Sequence, residues 1–366
     1  MSIRYKNLGG TKRLQEIVFA GSHDASITSG DVNAQTQDLN IGDQAEAGVR
    51  LFDLRILAKG SSSGASLVGY HGDAWRPSTN TLTSQYSGQT QKVKTSKDMT
   101  YGVTGEKLSD MLNQGKAFVD RTKEFLIFKF DKSTNYKLIG DYCVNLLGDS
   151  IYKSTNIEFS KLTLDDLAGK VVCVFNDKAL TEMKPYTEKN GILGWRSLKG
   201  KDGVKPYDST YYGLQYYGKG GTSAGAFWRS DTDKMDENVK KQKKLMLAMA
   251  KVQDQSAGNV LGMMYWTATG LKASIRKRNE EVLWGGTGIA RMSQLWHEGL
   301  EESISNQLKM DKIKVLEYGG IRRVKTFFPN IVMIDFADPD KCQTIYDLNT
   351  AVDDKLAKAY DKYTSA

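Results

Sequence analysis

Eight short runs of β-branched and aromatic residues recur along the chain, most of them separated by enough sequence for a helix. In order they are Glu16–Ala20, Gly48–Leu54, Ser66–Tyr70, Phe125–Phe130, Lys170–Phe175, Ala224–Trp228, Val260–Trp266 and Asn330–Phe336. Contiguous apolar residues over so short a length are the pattern of strands buried on both faces. Amphipathic helical patterns lie between them, clearest at Gly105–Arg121 and at Asp233–Gln253, the second opening on the capping pair Thr232/Asp233. Strand and helix alternating in this way predict an α/β chain whose parallel sheet closes into a distorted TIM-type (β/α)8 barrel. No fixed-period repeat and no Pro/Gly linker divides the 366 residues, so 1–366 reads as a single barrel domain.

The spacing of the runs is uneven, and the long intervals read as insertions at the C-terminal face. They fall near 75–104, which is polar and Thr/Ser-rich, near 184–225, with Tyr207, Tyr211, Tyr212, Tyr216 and Tyr217 among glycines, and near 267–296, which carries KASIRKR. Long loops in a compact domain are usually functional, and a barrel gathers them on the face where chemistry occurs.

Composition narrows the classes. The longest apolar run, Val260–Trp266, is seven residues, far short of the roughly 20 that cross a bilayer. The opening stretch MSIRYKNLGGTKRLQ lacks the apolar core of a signal peptide, and nothing in the sequence fixes a location. Cys143, Cys173 and Cys342 have no CxxC spacing and suit neither a structural zinc nor a disulfide scaffold. A net charge of +8 favours an anionic partner without choosing between nucleic acid, lipid headgroups and acidic polymers. The basic run Lys240–Lys244 reads as the solvated face of a helix, so no nucleic acid is expected. P-loop, Rossmann, HExxH, EF-hand and GxSxG patterns are all missing.

Histidine is scarce: His23, His71 and His297 are the full set. His23 directly follows the first run and His71 the third, which places both at the expected mouth of the barrel. Asp24, the Asp53/Arg55 pair and Asp335 fall at the same level, as do Lys129 at the end of the fourth run and Asp231 at the end of the sixth. Singly, each is ordinary: a loop, a local ion pair, a helix cap. Two of three histidines at strand ends among carboxylates and an arginine point to a matched acid and base. His297, in a helical stretch, reads as structural.

The sequence of motifs GSHDA, GVRLFDLR and LVGYHG resembles the catalytic X region of phosphatidylinositol-specific phospholipases C, most closely the small bacterial enzymes, and PNIVMIDF resembles that family's final strand. The similarity runs from about residue 10 to 345 and is weakest between 175 and 330. It implies a phosphodiesterase that cleaves phosphatidylinositol to diacylglycerol and inositol 1,2-cyclic phosphate. His23 would be the general base, oriented by Asp335, and His71 the general acid, held protonated by Asp24. Arg55 would offset phosphate charge, with Asp53 fixing its fork. Lys129 and Asp231 would bind inositol hydroxyls, and a tyrosine of the 207–217 cluster would stack on the ring. The implied partner is a membrane surface containing phosphatidylinositol, met by a monomer without a transmembrane segment.

Calcium-dependent relatives carry a second carboxylate where this chain has Arg55, so no metal or other cofactor is expected, with calcium as the alternative. One departure stands out: the family's arginine at the end of the fifth strand is missing from VVCVFNDK, where Asn176 or Lys178 takes its place. Two other readings stay open, namely the same barrel acting on another phosphodiester and a non-catalytic module that binds headgroups. The aromatic loops have two readings as well, packing on the barrel rim and docking at the headgroup layer.

Overall fold

A computed structural model describes residues 2–32, 34–60, 66–88, 90–200, 203–218, 259–267, 274–285, 315–318, 321–324 and 329–350, with scattered positions between 237 and 248. Eight parallel strands close on themselves: β1 (Phe19–Ser22), β2 (Val49–Leu54), β6 (Leu126–Phe130), β7 (Val171–Phe175), β8 (Ile192–Ser197), β9 (Leu214–Gly218), β10 (Leu261–Trp266) and β13 (Ile331–Ile334). Strand β13 returns to pair with β1, Ser22 opposite Ile334, which completes the cylinder. Helices α1 (Ile41–Ala47), α2 (Leu108–Thr122), α3 (Tyr136–Leu147) and α4 (Asp177–Glu182) connect strands on the outside, and a last helix starts at 339. Asn40 and Asn176 cap α1 and α4 by accepting from the backbone N–H three residues on. Along β2, Phe52 packs edge-on against Phe128 of β6 at 5.5 Å, and Phe128 in turn lies against Gly115 of α2. Alternation therefore turns Asp53 and its register partner Lys129 into the barrel.

The structure revises the reading of three intervals. Ser66–Tyr70 is no barrel strand. It opens β4 (Ser66–Thr83), an 18-residue arm that pairs antiparallel with β5 (Thr90–Lys107) and with the short β3 (Ile56–Lys59). The polar stretch near 75–104 is thus a long ribbon rather than an open loop; its Thr- and Ser-rich composition shows no apolar run to mark it as a strand. The interval 184–225 is only partly insertion, since it contributes barrel strands β8 and β9. Their Gly194, Arg196 and Gln215 break the apolar runs that marked the other strands. The fifth barrel strand is consequently β8 and not Val171–Phe175. It does carry an arginine, but Arg196 pairs with Asp208 at 3.4 Å and with the Pro206 carbonyl, while Trp195 donates from Nε1 to the Phe130 carbonyl at 2.9 Å. Lys129 accordingly belongs to the third barrel strand.

The run Ala224–Trp228, Asp231 and His297 lie outside the described residues. Within the expected helix Asp233–Gln253, positions 237, 240–242, 244–245 and 248 are helical, with Lys240 and Lys244 exposed. Strands β11 (Val315–Tyr318) and β12 (Ile321–Val324) form an antiparallel ribbon. Among the described residues, no helix is long and apolar enough to cross a membrane.

The N-terminal end of the barrel is sealed by a buried ion pair. Arg50 donates from Nε to Glu124 at 3.0 Å and to the carbonyls of Ala45, Val49 and Ile3 at 2.8–3.0 Å, and Glu124 also accepts the N–H groups of Tyr5 and Lys6. Every charge there is paired or hydrogen-bonded, the condition under which burying it is tolerable.

Candidate active site

The chemistry-bearing side chains gather where β1, β2, β6 and β13 end. His23 follows β1 directly, its N–H donating to the Ile334 carbonyl at 3.0 Å as the last rung beside β13. Asp24 then adopts φ 42°, a left-handed turn that aspartate tolerates. The turn leaves the Asp24 carboxylate buried between Arg55, His23 and His71. His71 arrives from the hairpin and not from a strand end. Gly102 of β5, at φ +141°, passes so close that a Cβ there would lie 2.0 Å from the His71 carbonyl. Only glycine lets the second arm approach the backbone of His71 in this way.

Asp24 is the hub. One carboxylate oxygen lies 2.9 Å from Arg55 Nε; the other lies 3.5 Å from His23 Nε2 and 3.7 Å from His71 Nε2. The expected pairing of Asp53 with Arg55 is not what the structure shows. Asp53 accepts from Lys129 Nζ at 2.9 Å across the β2–β6 register, and Arg55 turns to Asp24. The reason is height: Asp53 and Lys129 are direct neighbours inside the barrel, whereas Arg55 lies one residue beyond the end of β2. Lys129 also sits 4.3 Å from the centre of the Trp195 ring, so it is enclosed rather than reaching into open space.

Behind His23, the Nδ1 atom is 2.9 Å from Asp335 Oδ1, and Asp335 Oδ2 accepts from Asn279 Nδ2 at 3.2 Å. Asn279 lies in the π-helical stretch Arg278–Leu283, inside the expected insertion near 267–296, and no sequence signal marks it. Tyr265 stands edge-on to the His23 ring at 6.1 Å. His71 is held from behind as well, its Nδ1 lying 3.1 Å from the Ala34 carbonyl. A ring nitrogen facing a carbonyl must carry the proton, which leaves Nε2 of His71 directed at Asp24.

These contacts set the charges. Burial opposes the imidazolium of His23, but Asp24 and then Asp335 outweigh it and raise its pKa from 6.5 to about 9. Burial raises the pKa of Asp335 despite the pull of His23. For Asp53, burial acts upward and Lys129 overcomes it, leaving the carboxyl below its usual range. Lys129 is shifted up by Asp53 against its own burial. His23, Asp24 and Asp53 bring ligand atoms within 4.8 Å of one another, the grouping among the described residues that offers most to a cation.

Fold and site together define a closed parallel barrel with two histidines and an arginine around one buried carboxylate at its C-terminal mouth. The structure is similar to solved structures of bacterial enzymes. A phosphatidylinositol-specific phospholipase C from Listeria monocytogenes aligns over 92% of this chain and 94% of its own at 17% identity, with a TM-score of 0.47. A Staphylococcus aureus phosphatidylinositol-specific phospholipase C aligns over 93% and 95% at 18% identity, TM-score 0.48. A calcium-dependent phosphoinositol-specific phospholipase C from Pseudomonas sp. aligns over 70% and 84% at 14% identity, TM-score 0.40. No family model and no curated protein matches the sequence.

Proposed function

We propose that the chain is a phosphatidylinositol-specific phospholipase C whose 1–366 barrel works without a metal. The observation that carries the reading is the shared carboxylate: His23 and His71 approach one oxygen of Asp24 at 3.5 and 3.7 Å, and His23 alone is backed by a second, buried carboxylate. A group that binds headgroups has no need of two histidines so differently supported. His23, oriented by Asp335, takes the proton of the inositol 2-hydroxyl, whose oxygen attacks phosphorus. The bond from phosphorus to the diacylglycerol oxygen breaks, and His71 protonates the departing oxygen. Inositol 1,2-cyclic phosphate and diacylglycerol result. Arg55, with Nε on Asp24, keeps its remaining guanidinium donors for the phosphate oxygens, where charge gathers in the transition state.

Calcium fits this donor set poorly. The ion takes six to eight oxygen ligands, whereas Asp24 and Asp53 already hold the cations of Arg55 and Lys129 at 2.9 Å. Lys129, enclosed by Asp53 and Trp195, positions the floor of the inositol site, and Tyr216, whose ring lies 6.0 Å from that of Trp195, is the tyrosine of the 207–217 cluster assigned to the sugar ring. The substrate lies in a membrane surface reached by a monomer.

The test is release of water-soluble inositol phosphate from phosphatidylinositol vesicles, run in parallel with excess chelator and with excess calcium. Equal release in both is expected. Release only with calcium overturns the metal reading, and silence in both, on this and on other phosphodiesters, overturns the enzyme.

A further inference from the structure

One short segment, 34–37, touches the ring of His71, the backbone of His23 and Asp24 and the backbone on both sides of Asp335, although it lies in none of the motifs. The Ala34 carbonyl faces His71 Nδ1 at 3.1 Å. The Thr36 hydroxyl donates to the Asp24 carbonyl at 2.9 Å, and the Thr36 carbonyl accepts at 2.7 Å from the N–H of Phe336, the residue after Asp335. Gln37 goes furthest. Its Nε2 donates to the His23 carbonyl at 2.9 Å and to the Ile334 carbonyl at 3.4 Å, while its Oε1 accepts from the Ala337 N–H at 2.9 Å. The side chain is 0% exposed.

A buried amide is expensive unless its donors and acceptor are satisfied. Here all the partners are backbone groups of two strand ends that carry the dyad. The β1–β13 register stops at Ser22 and Ile334, one residue short of His23 and Asp335. Beyond that point the ladder offers one further rung, the His23 N–H on Ile334, and Gln37 takes over as the tie between the two strand ends.

We propose that Gln37 is a positioning residue: its amide fixes the separation of the backbone at His23 from that at Asp335, and so sets the dyad on which proton abstraction depends. The catalytic part of this inference rests on the function proposed above; the geometric part does not.

The experiment uses Gln37→Met, which keeps length and apolar volume and removes all three hydrogen bonds. The proton shared between His23 Nδ1 and Asp335 is followed by NMR in the protein without substrate, as the downfield resonance that Asp335→Asn abolishes. Turnover of phosphatidylinositol vesicles is measured beside it. Loss or exchange broadening of that resonance is expected, with kcat down by about 10²-fold, the cost of a misplacement near 1 Å, and KM within about twofold because no substrate contact is removed. A resonance retained in the folded variant overturns the inference whether or not activity falls, and so does a kcat within twofold of the parent. Should Gln37→Met not fold, Gln37→Glu keeps the acceptor for the Ala337 N–H and removes the donor to the His23 and Ile334 carbonyls. It is expected to lower kcat about tenfold; unchanged kcat there overturns the proposal. Silence of the parent protein on every phosphodiester defeats the proposed function and leaves the resonance to decide on Gln37.

Discussion

Replacing Asp335 by asparagine changes a single atom, yet the hydrogen bonds around it dictate where that atom goes. Asn279 Nδ2 donates to residue 335 and is held in place by a second bond, 2.9 Å to the Ile275 carbonyl. In Asp335→Asn the amide oxygen must therefore face Asn279, and the amide nitrogen faces His23 Nδ1. An amide nitrogen only donates. Nδ1 is forced to accept, the neutral ring carries its proton on Nε2, and the atom that should receive the inositol proton is already occupied. Loss of the correct tautomer lowers kcat by about 10⁴-fold in the histidine–aspartate arrangement of serine proteases, and about 10³–10⁴-fold is expected here.

The charge makes a second, separable contribution. Raising His23 from 6.5 to about 9 corresponds to about 3 kcal/mol at 1.36 kcal/mol per pH unit. Asp24, Asp335 and Asp53 supply it together against burial, so removing the Asp335 charge lowers the pKa of His23. In the parent protein kcat/KM should climb with pH up to about 9 as His23 loses its proton, and in Asp335→Asn this limb should move to lower pH. Inositol phosphate release between pH 5 and 10 reads both effects. The double variant Asp335→Asn/Asn279→Asp supplies an acceptor for the new amide and lets the oxygen of residue 335 face His23 again; about tenfold recovery over the single variant is expected. A single variant within tenfold of the parent, or a limb that stays where it was, refutes the reasoning.

His71→Ala should remove the proton donor for the leaving oxygen. The loss of kcat should be about 10²–10⁴-fold on phosphatidylinositol and much smaller on an inositol phosphodiester with a nitrophenol leaving group, whose low pKa needs no acid; equal losses on both substrates count against His71 as the acid. At the other end of the barrel, Glu124→Gln leaves Arg50 buried at 0% exposure without its counter-charge and should cost about 3–5 kcal/mol in chemical denaturation at neutral pH, whereas a cost below 1 kcal/mol would mean that the plug relaxes. The raised pKa of His23 also stabilises the fold. That contribution is complete below about 6.5 and lost as the pH rises through about 9, so the difference in denaturation midpoint between parent and His23→Gln should shrink between pH 6 and pH 10.

Several elements were legible without a structure because fully buried strands write themselves as contiguous apolar residues. Val49–Leu54, Leu126–Phe130, Val171–Phe175, Leu261–Trp266 and Ile331–Ile334 all occupy such runs, and their number and spacing suffice for a closed parallel barrel. The positions of His23, Asp24, Arg55 and Asp335 just beyond strands follow from the same runs. Strands β8 and β9 are not legible in this way because Gly194, Arg196, Gln215 and Gly218 interrupt them, and the first five residues of the arm carrying His71 have the apolar character of barrel wall.

Partnership is what only the tertiary structure decided. Which carboxylate Arg55 meets depends on the height of each inward position around the cylinder, and strand register fixes that height: Asp53 stands opposite Lys129, leaving Asp24 for Arg55. Asn279 reaches Asp335 across 56 residues, and Gln37 reaches Ala337 across 300. Neither carries a motif, because a buried amide is recognisable only by the backbone groups that closure of the barrel brings to it. The chain's apolar runs determine that a barrel forms; the shear with which it closes determines which polar side chains meet at its mouth.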